Sequence, residues 1–403
     1  MTKYNTFTLK NGMRVIHLPS DAQVVYCGIA VKAGTRHELP GEEGLAHFCE
    51  HLSFKGTERR SAVQIINAIE GLGGELNAFT NKEDTVFYCA IQAKHVRKAI
   101  NVLCDIVFHS TYPEHEVEKE REVVCDEIES YEDTPAELIF DEIENILFDS
   151  HPLGHNILGT SEQVRQYTSE DAHRFTRRYY RPDNCVLFVS GLPHLSEKLL
   201  VKDEWKTSQD TKEPPVALHP SPSTIYRERG THQAHVIMGT QAYAADNPRR
   251  WALYLLNNIL GGPGLNSRLN LSLRERNGLV YSVESSMVCY GDTGSWCVYF
   301  GCDPHDVKRC CRLVRRELNR LMEQPLTPTQ LRKAKQQLQG QLAIACDSRE
   351  QFALDFAKTF LHQGKERDLN DIMRHIDRLT PEDLQEVACD IFAEDHITIL
   401  IYK

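Results

Sequence analysis

One pattern occurs twice in the sequence: YCAIQAKHVRKAINVLCDIV, Tyr88–Val107, and VYFGCDPHDVKRCCRLVRREL, Val298–Leu318. Each stretch begins with an apolar, strand-like run that ends at a short turn, after which an amphipathic helix begins. The segments around each stretch also follow the same order in both halves of the chain. Because 403 residues are long enough for two domains, the sequence predicts one domain that occurs twice.

Hairpins and paired helices surround these two stretches, and strands do not alternate with helices one for one. This arrangement favours α+β domains, each an antiparallel-rich mixed sheet with helices packed on one face. Residues 203–224 are rich in proline, serine and charge, which is typical of a linker. We therefore predict an N-terminal domain at 1–202 and a homologous C-terminal domain at 225–403.

The composition excludes several classes of protein. A formal net charge of −11, without any run of lysine and arginine, argues against nucleic acid as a partner. The sequence has neither an apolar run of about 18 residues nor a secretory signal, so no membrane association is expected. The 13 cysteines lack C-x-x-C spacing, which favours buried, reduced thiols and a cytoplasmic location over a cysteine-rich metal site.

A histidine pair lies in the stretch GLAHFCEHLSF, residues 44–54. The apolar residues of this stretch recur with a helical period, which places His47 and His51 one turn apart on a neighbouring face. Both imidazoles could therefore reach a single ion, and zinc is the natural occupant of a site with nitrogen and carboxylate ligands. The alternative is that the histidines only border a packed helix face.

A catalytic zinc site needs a third protein ligand. The stretch PEHEVEKEREVVCDEIESYED, residues 113–133, predicts a long acidic helix in which Glu120 and Glu127 lie seven residues apart on one face. This face borders the apolar stripe of the helix, where a carboxylate needs a partner to offset its desolvation. A solvated acidic face is the alternative that the spacing alone leaves open.

These residues resemble the inverzincin metallopeptidases of the pitrilysin and insulysin family, particularly the branch similar to the mitochondrial processing peptidase. The inverted motif H-x-x-E-H is present at His47–His51. The stretch EREVVCDEI is similar to the family's distal ligand pattern, and it selects Glu127, not Glu129, as the third metal ligand. The resemblance implies that Glu120 supports the site.

The second half carries a signature that resembles the same family, GGPGLNSRLNLSLRERNGLVYSVESS, residues 261–286. In active members this signature holds an arginine and a tyrosine seven residues apart, which face the substrate. Arg274 and Tyr281 match those positions. The resemblance therefore implies that both contact the substrate and its developing oxyanion.

The stretch GGELNAFTNKEDTVFY, residues 73–88, resembles the family's substrate-binding edge strand. An extended peptide could add to this edge as a further strand, next to Asn77, Ala78 and Phe79. Backbone pairing of this kind carries no side-chain identity, so broad specificity is expected. The alternative is that Asn77 is an ordinary turn residue after the two glycines.

The resemblance implies a zinc-dependent endopeptidase with one Zn²⁺ per chain that hydrolyses peptides or unfolded segments, with Glu50 as the general base for the metal-bound water. Mn²⁺ or Co²⁺ could fit the same ligands. Longer members carry four such domains, with the zinc and the Arg/Tyr pair in opposite halves. Two domains would form half of a clamshell, which implies a homodimer or a heterodimer with a paralogue. The alternatives are a leader-processing peptidase and a non-catalytic partner or structural subunit.

Overall fold

A computed structural model describes residues 3–195 and 222–403, which fall into two compact units. The first unit contains residues 3–130, 155–195 and 344–368, and the second contains residues 131–154, 222–343 and 369–403. Each unit therefore includes segments from both halves of the sequence. Residues 203–221 of the predicted linker lie outside the described residues, so the predicted division at 203–224 stays a prediction.

The first unit is built on a six-stranded sheet. Its strands are β1 (Asn5–Thr8), β2 (Arg14–Leu18), β3 (Val24–Val31), β4 (Glu75–Thr80), β5 (Thr85–Gln92) and β6 (Cys185–Ser190). The strand order is β1-β2-β6-β3-β5-β4, and the β2–β6 pair alone is parallel. Strand β4 therefore lies at one edge of the sheet, where it pairs with β5.

The second unit is built on a five-stranded sheet. Its strands are β7 (Thr224–Arg227), β8 (Ala234–Ala242), β9 (Val280–Cys289), β10 (Gly294–Cys302) and β11 (Thr398–Tyr402). The order is β7-β11-β8-β10-β9, again with one parallel pair, β7–β11, between the first and last strands of the unit. This order matches β2-β6-β3-β5-β4 of the first sheet, so the predicted duplication and the α+β class are confirmed.

Helices flank both sheets. Those of the described residues are α1 (Leu45–Ser53), α2 (Ala62–Ile69), α3 (Val96–Phe108), α4 (Glu114–Glu132), α5 (Pro135–Leu147), α6 (Ser161–Val164), α7 (Ser169–Tyr179), α8 (Arg250–Gly261), α9 (Val307–Glu323), α10 (Pro328–Ala345), α11 (Arg349–Gln363), α12 (Leu369–Arg378) and α13 (Pro381–Ile391). The two quoted stretches of the repeat form β5 with α3 and β10 with α9, as predicted.

The main core of the first unit lies between its sheet and the helices α1 and α3. Phe48 of α1 and Leu103 of α3 are fully buried with Ile29 and Phe87 of the sheet. Burial of such side chains stabilises the unit by about 1.5–3 kcal/mol each. The apolar face predicted for α1 is therefore the face that attaches this helix to the sheet and leaves its histidine face outside the main core.

One helix from the opposite half of the sequence covers the other face of each sheet. Phe356 of α11 packs on Ile16 and Phe188 of the first sheet. In the second unit, Ile143 of α5 packs with Ile237. The strands need this cover because they are apolar on both faces, as the uninterrupted burial of β6 shows. Sequence order alone did not predict this exchange of helices.

Two further observations concern the surface and the thiols. Among the described residues, the helices that are long enough to cross a membrane are too polar to do so. All 13 cysteines lie in the described ranges as free thiols, and most of them are buried, as the missing C-x-x-C spacing predicts.

Candidate metal centre

Helix α1 is held at its N-terminus by a buried carboxylate. The Glu38 oxygens accept hydrogen bonds from the backbone N–H groups of Gly44 (3.0 Å) and Ala46 (2.7 Å), and Glu38 also contacts His155 Nε2 at 2.7 Å. Gly44 has a φ of +93°, and a Cβ there would lie 2.6 Å from the carbonyl oxygen of Leu158. Burial raises the pKa of Glu38 to about 7, although its hydrogen bonds to His155 and the backbone act to lower this pKa.

Three predicted ligands come together beside α1. His51 Nε2 lies 3.3 Å from Glu127 Oε2, and His47 Nε2 lies 3.8 Å from Glu127 Oε1. One donor atom from each residue lies within 4.8 Å of the other two, and this is the one such His/Cys/Asp/Glu group in the ranges that the structure describes. Two imidazoles and one carboxylate match the ligand set of a catalytic zinc site.

The hydrogen bonding of His47 supports a bound metal. His47 is buried, its Nδ1 has no hydrogen-bond partner, and its Nε2 lies too far from Glu127 for a hydrogen bond. Burial and the neighbouring His51 lower the pKa of His47 to about 4, so the imidazole is neutral at physiological pH. A neutral imidazole whose Nε2 forms no hydrogen bond has a lone pair available at that nitrogen for a metal ion beside Glu127.

Glu120 orients His51. Glu120 Oε1 lies 2.9 Å from His51 Nδ1, and its Oε2 lies 2.6 Å from Lys55 Nζ. Burial raises the pKa of Glu120, but hydrogen bonds to His51 and Lys55 outweigh this effect and lower it. Glu120 is therefore ionised and accepts a hydrogen bond from the Nδ1–H of His51. This bond leaves Nε2 of His51 directed at Glu127, and the predicted support of a metal site by Glu120 stays a prediction.

The charge state of His51 follows from the same contacts. Burial lowers the pKa of His51, but hydrogen bonds to Glu120 and Glu127 outweigh this effect and raise it to about 9. The hydrogen bond from His51 in turn lowers the pKa of Glu127, against the effect of burial. The cluster thus attracts positive charge at the point where the three donor atoms meet, and a divalent cation would supply that charge.

Glu50 belongs to the same helix but is not part of the ligand group. Its Oε2 accepts a hydrogen bond of 2.6 Å from the hydroxyl of Thr80, the last residue of β4. Burial raises the pKa of Glu50, and the bond from Thr80 opposes this rise. Sequence reasoning missed Thr80, although strand alternation places it on the same face of β4 as Ala78.

The predicted substrate strand is an edge strand. In β4, Asn77 pairs with Tyr88, Ala78 with Phe87 and Phe79 with Val86 of β5. The other edge of β4 pairs with no strand of the described residues, which leaves backbone groups available for an added peptide. Because β4 ends at Thr80, this free edge leads to Glu50.

The predicted substrate-contacting pair lies in the second unit. Arg274 belongs to a π-helical segment, Asn270–Glu275, and Tyr281 lies on β9. The structure brings the two together, with the guanidinium carbon 5.5 Å from the ring centroid, a cation–π distance. Tyr281 is 82% exposed, so its hydroxyl is free to meet a ligand. Their position relative to the metal ligands stays a prediction.

The second unit has no equivalent of the histidine pair. Helix α8 occupies the place of α1 in the repeat, and its sequence RWALYLLNNILG contains no histidine or carboxylate. Helix α10 corresponds to α4 and contains no glutamate. Within the described residues, the duplication therefore preserves the fold and keeps one candidate metal site.

Comparison with protein families agrees with this asymmetry. Residues 14–161 match the insulinase family, peptidase family M16, and residues 166–338 match the family described as the peptidase M16 inactive domain. An uncharacterized zinc protease of Bacillus subtilis is 33% identical over 98% of this chain and 97% of its own length. An uncharacterized zinc protease of Streptomyces coelicolor is 35% identical over 95% of this chain and 86% of its own length.

Solved structures share the whole fold. A protease from Helicobacter pylori has a TM-score of 0.89 and 23% identity, and the match covers 100% of this chain and 99% of that one. A putative M16-like peptidase from Alicyclobacillus acidocaldarius has a TM-score of 0.87 and 20% identity, over 99% and 98% of the two chains. At these identities the likeness shows the two-unit fold alone.

Proposed function

The chain belongs to the insulinase family of peptidases, family M16, and from this premise we propose that it is a zinc-dependent endopeptidase acting on peptides or unfolded segments. The observation that carries the proposal is the convergence of His47, His51 and Glu127 beside the carboxylate of Glu50. Relatives that cover nearly the whole chain are named zinc proteases, which supports zinc as the metal, one ion per chain.

The residues of the site have separate roles in this proposal. His47, His51 and Glu127 would hold the ion, and Glu120 would keep His51 in the required tautomer. When bound, zinc supplies Lewis-acid activation of the scissile carbonyl and of water. Each remaining step depends on side chains that the chain itself provides.

Glu50 would act as the general base and then as the general acid. Thr80 holds Oε2 of Glu50, and Oε1 forms no hydrogen bond within the described residues, so Oε1 is free to take a proton from water. The burial that raises the pKa of Glu50 makes its carboxylate a stronger base than an exposed one. The protonated group can then pass the proton to the leaving amine.

The substrate would bind as an added strand along the free edge of β4. Backbone pairing next to Asn77, Ala78 and Phe79 would deliver a peptide bond to the end of the strand, where Thr80 and Glu50 lie. The exposure of Asn77 and the free edge support this binding mode. Because the pairing uses the backbone, we expect broad sequence specificity.

Arg274 and Tyr281 would stabilise the oxyanion from a second chain. They belong to the second unit, and the exposed Tyr281 hydroxyl supports a role toward a ligand. We propose a dimer, with an identical chain or a paralogue, in which each metal site faces the Arg/Tyr pair of the partner.

The free thiols support a cytoplasmic location for this dimer.

Two glutamate variants test the assignment of roles. Glu50→Gln should keep stoichiometric zinc and lose cleavage of a quenched fluorescent peptide, because the carboxamide that replaces the carboxylate cannot accept a proton from water. Glu127→Gln should lose zinc affinity first and recover part of its activity at high zinc concentration. If Glu50→Gln loses the metal together with activity, the ligand assignment is wrong. If the wild-type chain binds zinc and cleaves no member of a peptide library, it is a non-catalytic subunit.

A further inference from the structure

A pocket in the second unit concentrates positive charge in a chain that is acidic as a whole. It has a volume of about 450 Å³ and is lined by Arg268, Leu271, Arg276, Glu317, Arg320, Gln324, Pro325, Leu326 and Gln330. We call these residues the cationic pocket. Three guanidinium groups face one carboxylate there, which leaves a local charge of +2 in a protein whose formal net charge is −11.

The single carboxylate of the pocket, Glu317, already forms ion pairs. Glu317 is buried, and its Oε1 lies 2.9 Å from Arg320 Nη1. A second contact, of 3.7 Å, joins the same oxygen to Arg316, which lies outside the pocket lining. Glu317 therefore cannot neutralise the other two arginines of the cationic pocket.

Those two arginines lack partners. Neither the Arg268 nor the Arg276 guanidinium forms a hydrogen bond or an ion pair with any residue in the described ranges. Arg268 is half-buried, and burial lowers its pKa, with attraction from Glu317 and repulsion from Arg320 acting in addition. A partly desolvated guanidinium with unused donors gains from an anionic ligand more than a fully hydrated one does.

The rest of the lining indicates which kind of anion fits. Leu271, Pro325 and Leu326 form an apolar part of the wall, and Gln330 uses its Oε1 to accept from the backbone N–H of Thr327 at 2.9 Å, which leaves its Nε2 as a donor. A bare phosphate would use the arginines and leave this apolar surface in water. An acidic peptide segment would use both, because its carboxylates can pair with the guanidiniums while its apolar side chains cover Leu271 and Pro325.

We propose that the cationic pocket is a binding site for an acidic segment of a peptide substrate. This inference rests on the proposed peptidase function, since it names a class of substrate that the chain would bind. Two carboxylates of one substrate segment would match the charge of +2. Substrates with such a segment would have a lower KM at an unchanged kcat, because a contact that is equally strong in the ground state and the transition state contributes uniform binding.

The test uses binding to the intact Glu50→Gln chain, so that it does not depend on turnover. The probe is a fluorescein-labelled peptide that alternates glutamate with leucine, and the matched control replaces each glutamate with glutamine. Fluorescence anisotropy should show about tenfold tighter binding of the acidic peptide at low salt, and the difference should shrink as salt screens it. Equal binding of both peptides would overturn the proposal.

Two charge reversals separate the pocket from the general surface. Arg276→Glu should weaken binding of the acidic peptide about tenfold and leave the glutamine peptide unchanged. Arg312→Glu is the matched control, because Arg312 is an exposed arginine of α9, the helix that carries Arg320, and does not line the pocket. Both variants change net charge equally, and neither residue is buried, so both should fold.

Three further results would overturn the proposal. Equal losses in Arg276→Glu and Arg312→Glu would show a general charge effect. Displacement of the acidic peptide by inorganic tripolyphosphate at a far lower concentration than by the unlabelled acidic peptide would show a site for compact phosphate anions. A shift of the Arg276→Glu chain to a smaller oligomer would assign the cationic pocket to a contact between copies. Failure of the proposed function itself would appear separately, as zinc-loaded wild-type chain without cleavage.

Discussion

Replacement of Thr80 by valine tests whether the hydrogen bond to Glu50 matters for catalysis. Valine has the shape of threonine and lacks the hydroxyl that donates to Glu50 Oε2 at 2.6 Å. Thr80 otherwise contacts the Thr85 hydroxyl at 3.3 Å and touches none of the metal ligands through hydrogen bonds. The change therefore removes one bond at the Glu50 carboxylate and leaves the His47–His51–Glu127 group as it is.

The expected decrease of kcat follows from the kind of hydrogen bond that is lost. A hydrogen bond to a charged group contributes about 1.5–3 kcal/mol, and this one joins two buried side chains. If the bond positions Glu50 in the transition state, Thr80→Val should lower kcat by about 10- to 150-fold. KM should change little, because Thr80 pairs with β5 through its backbone and valine keeps that pairing.

The pH dependence of kcat distinguishes positioning from general damage. Burial raises the pKa of Glu50 and the Thr80 hydrogen bond lowers it, so removal of the bond should raise the pKa further. The general base must be ionised, and the acidic limb of the kcat profile should therefore move to higher pH in Thr80→Val. Thr80→Ser keeps the hydroxyl and should retain most of the activity and the wild-type pH profile.

The assay is steady-state cleavage of a quenched fluorescent peptide across pH, with zinc content measured on the same samples. A kcat of Thr80→Val within about twofold of wild type would contradict this role of the hydrogen bond, because such a change is too small for the loss of a charge-assisted bond. Loss of zinc from the variant would also contradict it, because Thr80 would then support the ligands and not the base.

Three further predictions concern the support of the site and its assembly. Glu120→Gln should weaken zinc affinity by about 10- to 100-fold in a competition with a chelating dye, because His51 loses its anionic partner; unchanged affinity would contradict this role. Glu38→Ala should lower the stability by about 2–4 kcal/mol in thermal or denaturant unfolding, since α1 loses two hydrogen bonds at its N-terminus; an unchanged midpoint would contradict it. Glu50→Gln and Tyr281→Phe chains, each nearly inactive alone, should regain activity when co-expressed, and a dimer without recovery would show that the sites are not shared.

The candidate metal ligands could be predicted from the sequence because helical spacing is a local property. His47 and His51 are one turn apart, so a single helix fixes their geometry regardless of the rest of the fold. Glu127 was harder to identify, because spacing alone left a solvated acidic face as an alternative. The family pattern selected it, and the structure places it 3.3 Å from His51.

Contacts between distant elements were not predictable in the same way. Thr80 reaches Glu50 across 30 positions, and Glu38 holds His155 across 117, so neither contact has a local signal. The exchange of α5 and α11 between the sheets was missed for a related reason. An amphipathic pattern shows that a helix has a buried face, but it does not show which sheet that face covers.

The central claim is that one zinc ion per chain, held by His47, His51 and Glu127, enables peptide hydrolysis. The most direct measurement is a zinc titration of exhaustively chelated protein, with bound zinc and the rate of peptide cleavage recorded at each step. The account predicts no cleavage without metal and a rate that rises linearly to a plateau at one zinc per chain. Cleavage at full rate by metal-free protein, or a plateau at another stoichiometry, would contradict it.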